Sequence, residues 1–157
     1  MRTKIIGNKK IFAIEYYIDI DRNDLLGSCR IWVEKKYIGS MDDKVSISIL
    51  YDALNRVKEF NYNNEGIVDF KNSEMLFDLL SNNEIGDFAL LGFPENFDDF
   101  EIRVFKSSGF VYFLWKLGSE PFFTYPNLLT DQLYNAKIDL DCYLTTLHEF
   151  KTKLDEV

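Results

Sequence analysis

Two runs of strand-forming residues, Phe100–Lys106 and Phe110–Leu117, are joined only through Ser107–Ser108–Gly109. Small residues and a glycine between two such runs predict a β-hairpin, which commits its sheet to antiparallel pairing. A third run supports this. Across Ile11–Ile20, Phe12, Ile14, Tyr16, Ile18 and Ile20 alternate with Ala13, Glu15, Tyr17 and Asp19, the period of a half-buried strand.

Other segments place helices beside these strands. A polar stretch, Asp21–Ser28, contains Gly27 and reads as a loop, and a further strand is predicted over Cys29–Ile38. There Cys29, Ile31, Val33 and Tyr37 share one face, with Trp32 and Ile38 on the other. From Ser46 to Phe60 the period lengthens, and Ile47, Leu50, Tyr51, Leu54 and Val57 recur as one helical face. Asp43 or Ser46 is its expected cap, and Asn61–Gly66 its expected end. A shorter helix over Ser73–Leu80 presents Met75, Leu76, Leu79 and Leu80. Phe88–Leu91 reads as a short strand before a turn at Gly92–Phe93–Pro94, and Pro121 and Pro126 break the chain after the hairpin. A last strand is predicted at Ala136–Leu140, then a helix from Asp141 carrying Tyr143, Leu147, Phe150 and Leu154 on one face. The expected fold class is α+β: one domain spanning residues 1–157, an antiparallel β-sheet packed with about three helices.

The longest apolar run, Phe110–Trp115, is six residues, far short of the roughly 20 that span a bilayer. Met1–Lys10 holds no apolar stretch of signal-peptide length. No membrane association and a cytoplasmic location are expected.

Charge is distributed unevenly. Between Asn72 and Ile102 lie eight acids and no lysine or arginine: Glu74, Asp78, Glu84, Asp87, Glu95, Asp98, Asp99 and Glu101. With 26 acids and 18 bases in the whole chain, that segment carries the entire net charge of −8. Such a concentration of one sign steers oppositely charged partners. Phe77, Phe88, Phe93, Phe97 and Phe100 lie among the acids, so the segment is too apolar to be a solvated tail. Direct nucleic-acid binding is not expected, because phosphate recognition relies on Lys and Arg.

Residues for catalysis or metal binding do not assemble. His148 and Cys142 lie six positions apart, about 240° round one helix, and form no dyad within it. Nothing in the spacing of Cys29 and Cys142, 113 positions apart, implies a disulfide or a zinc site. The scattered glycines make no phosphate loop. Asp19, Asp21 and Asn23 begin like a calcium loop, but Asp24 stands where glycine is required and Arg30 where a glutamate is. Asp98, Asp99 and Glu101 could supply paired carboxylates, though strand neighbours point to alternate faces. No cofactor, metal or catalytic residue is expected.

Gly7–Asn8–Lys9, Phe12–Ala13–Ile14–Glu15, Gly27, Trp32 and Ile38–Gly39 together resemble the Imm42-type immunity proteins of bacterial polymorphic toxin and contact-dependent growth inhibition systems. The order of strands, helices, hairpin and final helix is also similar over most of the chain. The resemblance implies a protein without enzymatic activity that binds a cognate toxin's carboxy-terminal domain, expected to be a basic nuclease. On this reading Glu84, Asp87, Glu95, Asp98, Asp99 and Glu101 pair with basic groups on the toxin, and Phe93 and Phe97 are apolar anchors. An acidic adaptor or peptide-binding module, and a small carboxylate-dependent hydrolase, remain the alternatives. The oligomeric state is left open.

Overall fold

A computed structural model of the protein describes residues 2–20, 24–59, 73–81 and 92–157. The first sheet contains β1 (Lys4–Asn8), β2 (Phe12–Ile18), β3 (Leu26–Val33) and β4 (Lys36–Ile38), in that order and antiparallel, with the two-residue β5 (Val45–Ser46) pairing β3. Helix α1 (Ile47–Arg56) follows, then a 3₁₀ turn, Val57–Glu59, and α2 (Ser73–Ser81). The second sheet is β6 (Phe100–Ser107), β7 (Phe110–Leu117) and β8 (Tyr134–Asp139), also antiparallel. Helix α3 (Leu140–Asp155) ends the fold. The class is α+β as expected, with two antiparallel sheets where one was predicted.

The β6–β7 hairpin turns through Ser108 and Gly109, at φ 50° and 81°, the left-handed pair of a two-residue hairpin. Strand alternation then divides its side chains. Phe100, Ile102 and Val104, with Val111, Phe113 and Trp115, enter the main core, which also takes in the first sheet, α1 and α3. On the opposite face Phe105, Tyr112 and Leu114 form a second cluster with Leu76, Phe77 and Leu80 of α2. Met75, predicted on the apolar face of α2, is 61% exposed instead. Asn61–Gly66 and Phe88–Leu91 lie outside the described residues.

Helix α3 buries the predicted stripe of Tyr143, Leu147, Phe150 and Leu154. Its first turn is capped by the Asp139 carboxylate, which accepts from the Asp141 and Cys142 amides. Tyr143 packs its ring on Phe12 and donates its hydroxyl to the Leu54 carbonyl at 2.6 Å, so the buried phenol is satisfied. Helix α1 lacks an equivalent cap: Ser46 stands at the N-cap position but makes no cap hydrogen bond, and Asp43 Oδ1 accepts from the adjacent Lys44 amide.

Three local expectations are corrected. The run Cys29–Ile38 is two strands, folded back at Glu34 and Lys35, which adopt φ 47° and 72°. Their amides donate to the Ile11 and Lys9 carbonyls at 3.0 and 2.8 Å, so the neighbouring turn holds the left-handed backbone in place. The fold-back reverses the phase: Ile38 pairs with Ile31 on the core face and Tyr37 with Trp32 on the outer face. Gly27, predicted in a loop, belongs to β3; a Cβ there would lie 1.8 Å from the Tyr17 carbonyl oxygen, so the backbones approach too closely for a side chain. Strand β1 was not anticipated.

Candidate functional site

After α2, on which Glu74 and Asp78 are exposed, the acidic segment is described again from Gly92 and leads into a 3₁₀ turn, Glu95–Phe97. Pro94 is extended before the turn, which closes through Phe97 N–H to the Pro94 carbonyl at 2.9 Å and Asp98 N–H to the Glu95 carbonyl at 3.0 Å. Three residues per turn bring positions i and i+3 to one side. Glu95 and Asp98 therefore face solvent together, while Asn96 and Phe97 are buried. Neither Glu95 nor Asp98 makes an ion pair among the described residues.

The inward residues hold this turn. Asn96 Nδ2 donates to the carbonyls of Cys29 and Ser40 at 2.6 and 2.9 Å, and the Ser40 amide donates to the Asn96 carbonyl. The Phe97 ring packs over Gly39, where a Cβ would approach it to 2.9 Å, and stacks on Phe93 at 5.0 Å. Phe97, predicted as a surface anchor, is thus a core residue. Phe93 is half-buried and lines a hollow of about 310 Å³ with Glu95, Lys44 and the exposed Ile49.

Asp99 has an inward role of its own. Its carboxylate accepts from the Phe122 and Phe123 amides at 2.8 and 3.0 Å and from the Tyr125 hydroxyl at 2.8 Å. Partial burial works against its charge, but the three donors outweigh it and hold its pKa below the usual carboxylate range. The same pair raises the pKa of Tyr125, with burial as the largest cause. Glu101 sits in register with Lys116, on the sheet face opposite Phe100, whose ring meets Tyr125. Glu84 and Asp87 lie outside the described residues.

The segment that Asp99 grips, residues 118–131, is an Ω-loop, compact with its ends close together. Ser119 Oγ donates to Asp131 Oδ1 at 2.9 Å, the Asp131 amide to the Leu117 carbonyl, and the Leu129 amide to the Tyr134 hydroxyl. At its crown Phe122 is 85% exposed, propped edge-on against the half-buried Phe123, and Leu129 is 64% exposed. A large aromatic held out from a braced loop is a candidate partner contact. Sequence reading passed over Phe122; the available signal was an aromatic pair framed by Pro121 and Pro126.

A second constellation occupies the outer face of the first sheet. Glu15 is 7% exposed and accepts from Arg30 Nε at 2.9 Å and Trp32 Nε1 at 2.7 Å, with Lys9 Nζ at 3.4 Å. Burial opposes its ionisation, yet the hydrogen bonds and the charges of Arg30 and Lys9 keep its pKa below the ordinary value. Two residues that carry the family resemblance, Glu15 and Trp32, are thereby joined, and a third, Gly39, lies against the Phe97 ring. These contacts are internal to the fold.

Among the described residues no group of three or more His, Cys, Asp or Glu side chains converges as a metal site, and no helix is long and apolar enough to cross a membrane. His148 and Cys142 are exposed on α3. Cys29 is fully buried and its thiol is pushed up to about 12 by that burial. The arrangement offers surfaces for recognition.

Residues 4–153 match the family model described as Immunity protein 42. Among solved structures, CdiI from Burkholderia dolosa AUO158 aligns with a TM-score of 0.64 at 12% identity, over 96% of this chain and 99% of that one. At that identity the likeness is one of fold. A comparison with curated proteins gives no match.

Proposed function

The chain belongs to the immunity protein 42 family and is a toxin-neutralising immunity protein, not an enzyme; from that premise we propose that it captures a basic toxin domain on the acidic edge around Glu95 and Asp98. The observation that carries this reading is the pairing of two exposed carboxylates on one hydrogen-bonded turn, neither in an ion pair among the described residues, within the segment that holds the chain's whole net charge of −8. A toxin that cleaves nucleic acid must present lysines and arginines to phosphate. A carboxylate edge complements that surface, speeds encounter, and covers the site once bound. A nuclease is therefore the toxin class we assign, met in the cytoplasm before it reaches nucleic acid.

The proposed contact set is Glu84, Asp87, Phe93, Glu95 and Asp98, extended to Glu120 and Phe122 of the Ω-loop. Phe97 and Asp99 serve it from behind, one as the packed base of the turn and the other as the clasp of the loop. Glu101, in register with Lys116 on the α2 side of its sheet, is left out of the set.

Association kinetics test the proposal. A cognate toxin domain, sought in the gene next to this one, is mixed with wild type and with the double variant Glu95→Lys, Asp98→Lys over a range of salt. The variant is expected to associate roughly tenfold more slowly at low salt and to show a flatter salt dependence. An association rate and salt slope equal to wild type would remove the acidic edge from the interface.

A further inference from the structure

Arg30 is fixed from three sides. It stands in register with Glu15 across β2 and β3 and gives that residue its Nε hydrogen. Its guanidinium lies 4.9 Å from the Trp32 ring centroid and 4.7 Å from that of Tyr37, contacts that hold a planar cation. Its two Nη groups make no hydrogen bond among the described residues. Lys9 and Arg30 around the single Glu15 carboxylate leave the cluster with one net positive charge.

Arg30 lines a cleft of about 300 Å³ together with Tyr37, Ser40, Asp42 and Thr124–Pro126. The far wall belongs to the Ω-loop and is tied to the near one: the Tyr37 hydroxyl donates to the Pro126 carbonyl at 2.6 Å. Tyr125 is locked by Asp99, and Ser40 by Asn96. The walls are thus fixed before any ligand arrives, and the cleft's size is at the small end for a binding pocket.

We propose that this cleft receives a carboxylate side chain of the toxin, gripped by the Nη edge of Arg30. The proposal rests on the toxin-binding reading above and adds a contact of opposite polarity to it. A guanidinium with unused donors matches a carboxylate through paired, charge-assisted hydrogen bonds. Asp42, exposed at the rim, selects the setting: it repels a dianion such as phosphate and suits a monoanion flanked by a cation. The acid is therefore one embedded in a basic surface, which a basic toxin supplies. Thr124 faces the cleft two residues beyond Phe122, so both would engage the same partner.

Binding of the toxin domain to Thr124→Glu tests this, because a carboxylate introduced at the rim would occupy Arg30 without touching the Glu15 hydrogen bonds. Affinity is expected to fall roughly tenfold to a hundredfold, while Thr124→Gln, of equal size and neutral, stays within about threefold. Arg30→Lys, which keeps the charge and loses the fork, is expected to fall similarly with unchanged circular dichroism. Wild-type affinity in Thr124→Glu overturns the proposal, as does an equal loss in Thr124→Gln. If Thr124→Glu binds normally while Glu95→Lys, Asp98→Lys is slowed, the cleft falls and the acidic edge stands; the reverse pattern removes the edge and keeps the cleft. A wild-type chain that fails to bind the toxin overturns both.

Discussion

The Asp99 carboxylate and the Tyr125 hydroxyl meet at 2.8 Å, and the same carboxylate caps the Phe122 and Phe123 amides. One side chain thereby couples the acidic turn to the Ω-loop. The coupling is charge-dependent, since the three donors hold the Asp99 pKa below its ordinary value against the cost of burial. A lowered folded pKa stabilises fully above the usual carboxylate range, and that contribution is lost as pH falls from there through the folded value. Amide resonances of Phe122 and Phe123 should therefore shift together in acid. Asp99→Ala should remove the titration and cost about 1–3 kcal/mol in urea unfolding.

Phe122 should separate binding from folding. Its ring is 85% exposed, so Phe122→Ala removes almost no packing and should change stability by no more than about 0.5 kcal/mol. If the loop contacts the toxin, the same substitution should weaken the complex by about 2 kcal/mol or more, the range of an interface anchor. Calorimetric titration against the toxin domain, paired with a thermal melt, reads both quantities.

The two thiols should differ in reactivity. Cys142 is exposed on α3, whereas Cys29 is fully buried and its pKa is pushed up to about 12 by that burial. A thiolate is the reactive form. At pH 8 a disulfide reagent should titrate a single thiol per native chain within minutes and a second only after denaturation. Rapid modification of both in the native protein would mean that β3 and the Asn96 turn open readily.

What the sequence made legible follows its periodicities. The β6–β7 hairpin, the core face of β2 and the α3 stripe each repeat long enough for period two or 3.6 to stand out. Strand β1 gave no such signal because only Ile6 of its residues is buried. The turn at Glu34–Lys35 was hidden for another reason: its left-handed backbone is imposed by hydrogen bonds from a distant turn, on two residues that do not favour it. At the candidate site the acids were visible but not their directions. A single 3₁₀ turn sends Glu95 and Asp98 outward and Phe97 inward, and Asp99 finds its partners more than 20 residues away. Those facts depend on tertiary contacts that composition does not encode.

Asn96 joins the acidic turn to the first sheet, and its chemistry yields a sharp test. The side chain is fully buried, and its Nδ2 donates to the Cys29 and Ser40 carbonyls at 2.6 and 2.9 Å. Asn96→Ala leaves both carbonyls without that donor and should cost about 2–4 kcal/mol. Asn96→Asp should cost more at pH 7, because an ionised carboxylate would face two carbonyl oxygens in a buried site. Only the protonated acid can donate there, so the folded pKa of the new group would be raised. A raised pKa favours the fold at low pH and loses that advantage as pH climbs. The stability gap between Asn96→Asp and wild type, measured by urea unfolding at each pH, should therefore narrow from pH 7 to pH 4.5, while the gap for Asn96→Ala stays constant. A pH-independent gap for Asn96→Asp would mean that the turn swings outward to solvate the carboxylate. In that case Glu95 and Asp98 would leave their fixed positions, and toxin association should slow in the same variant.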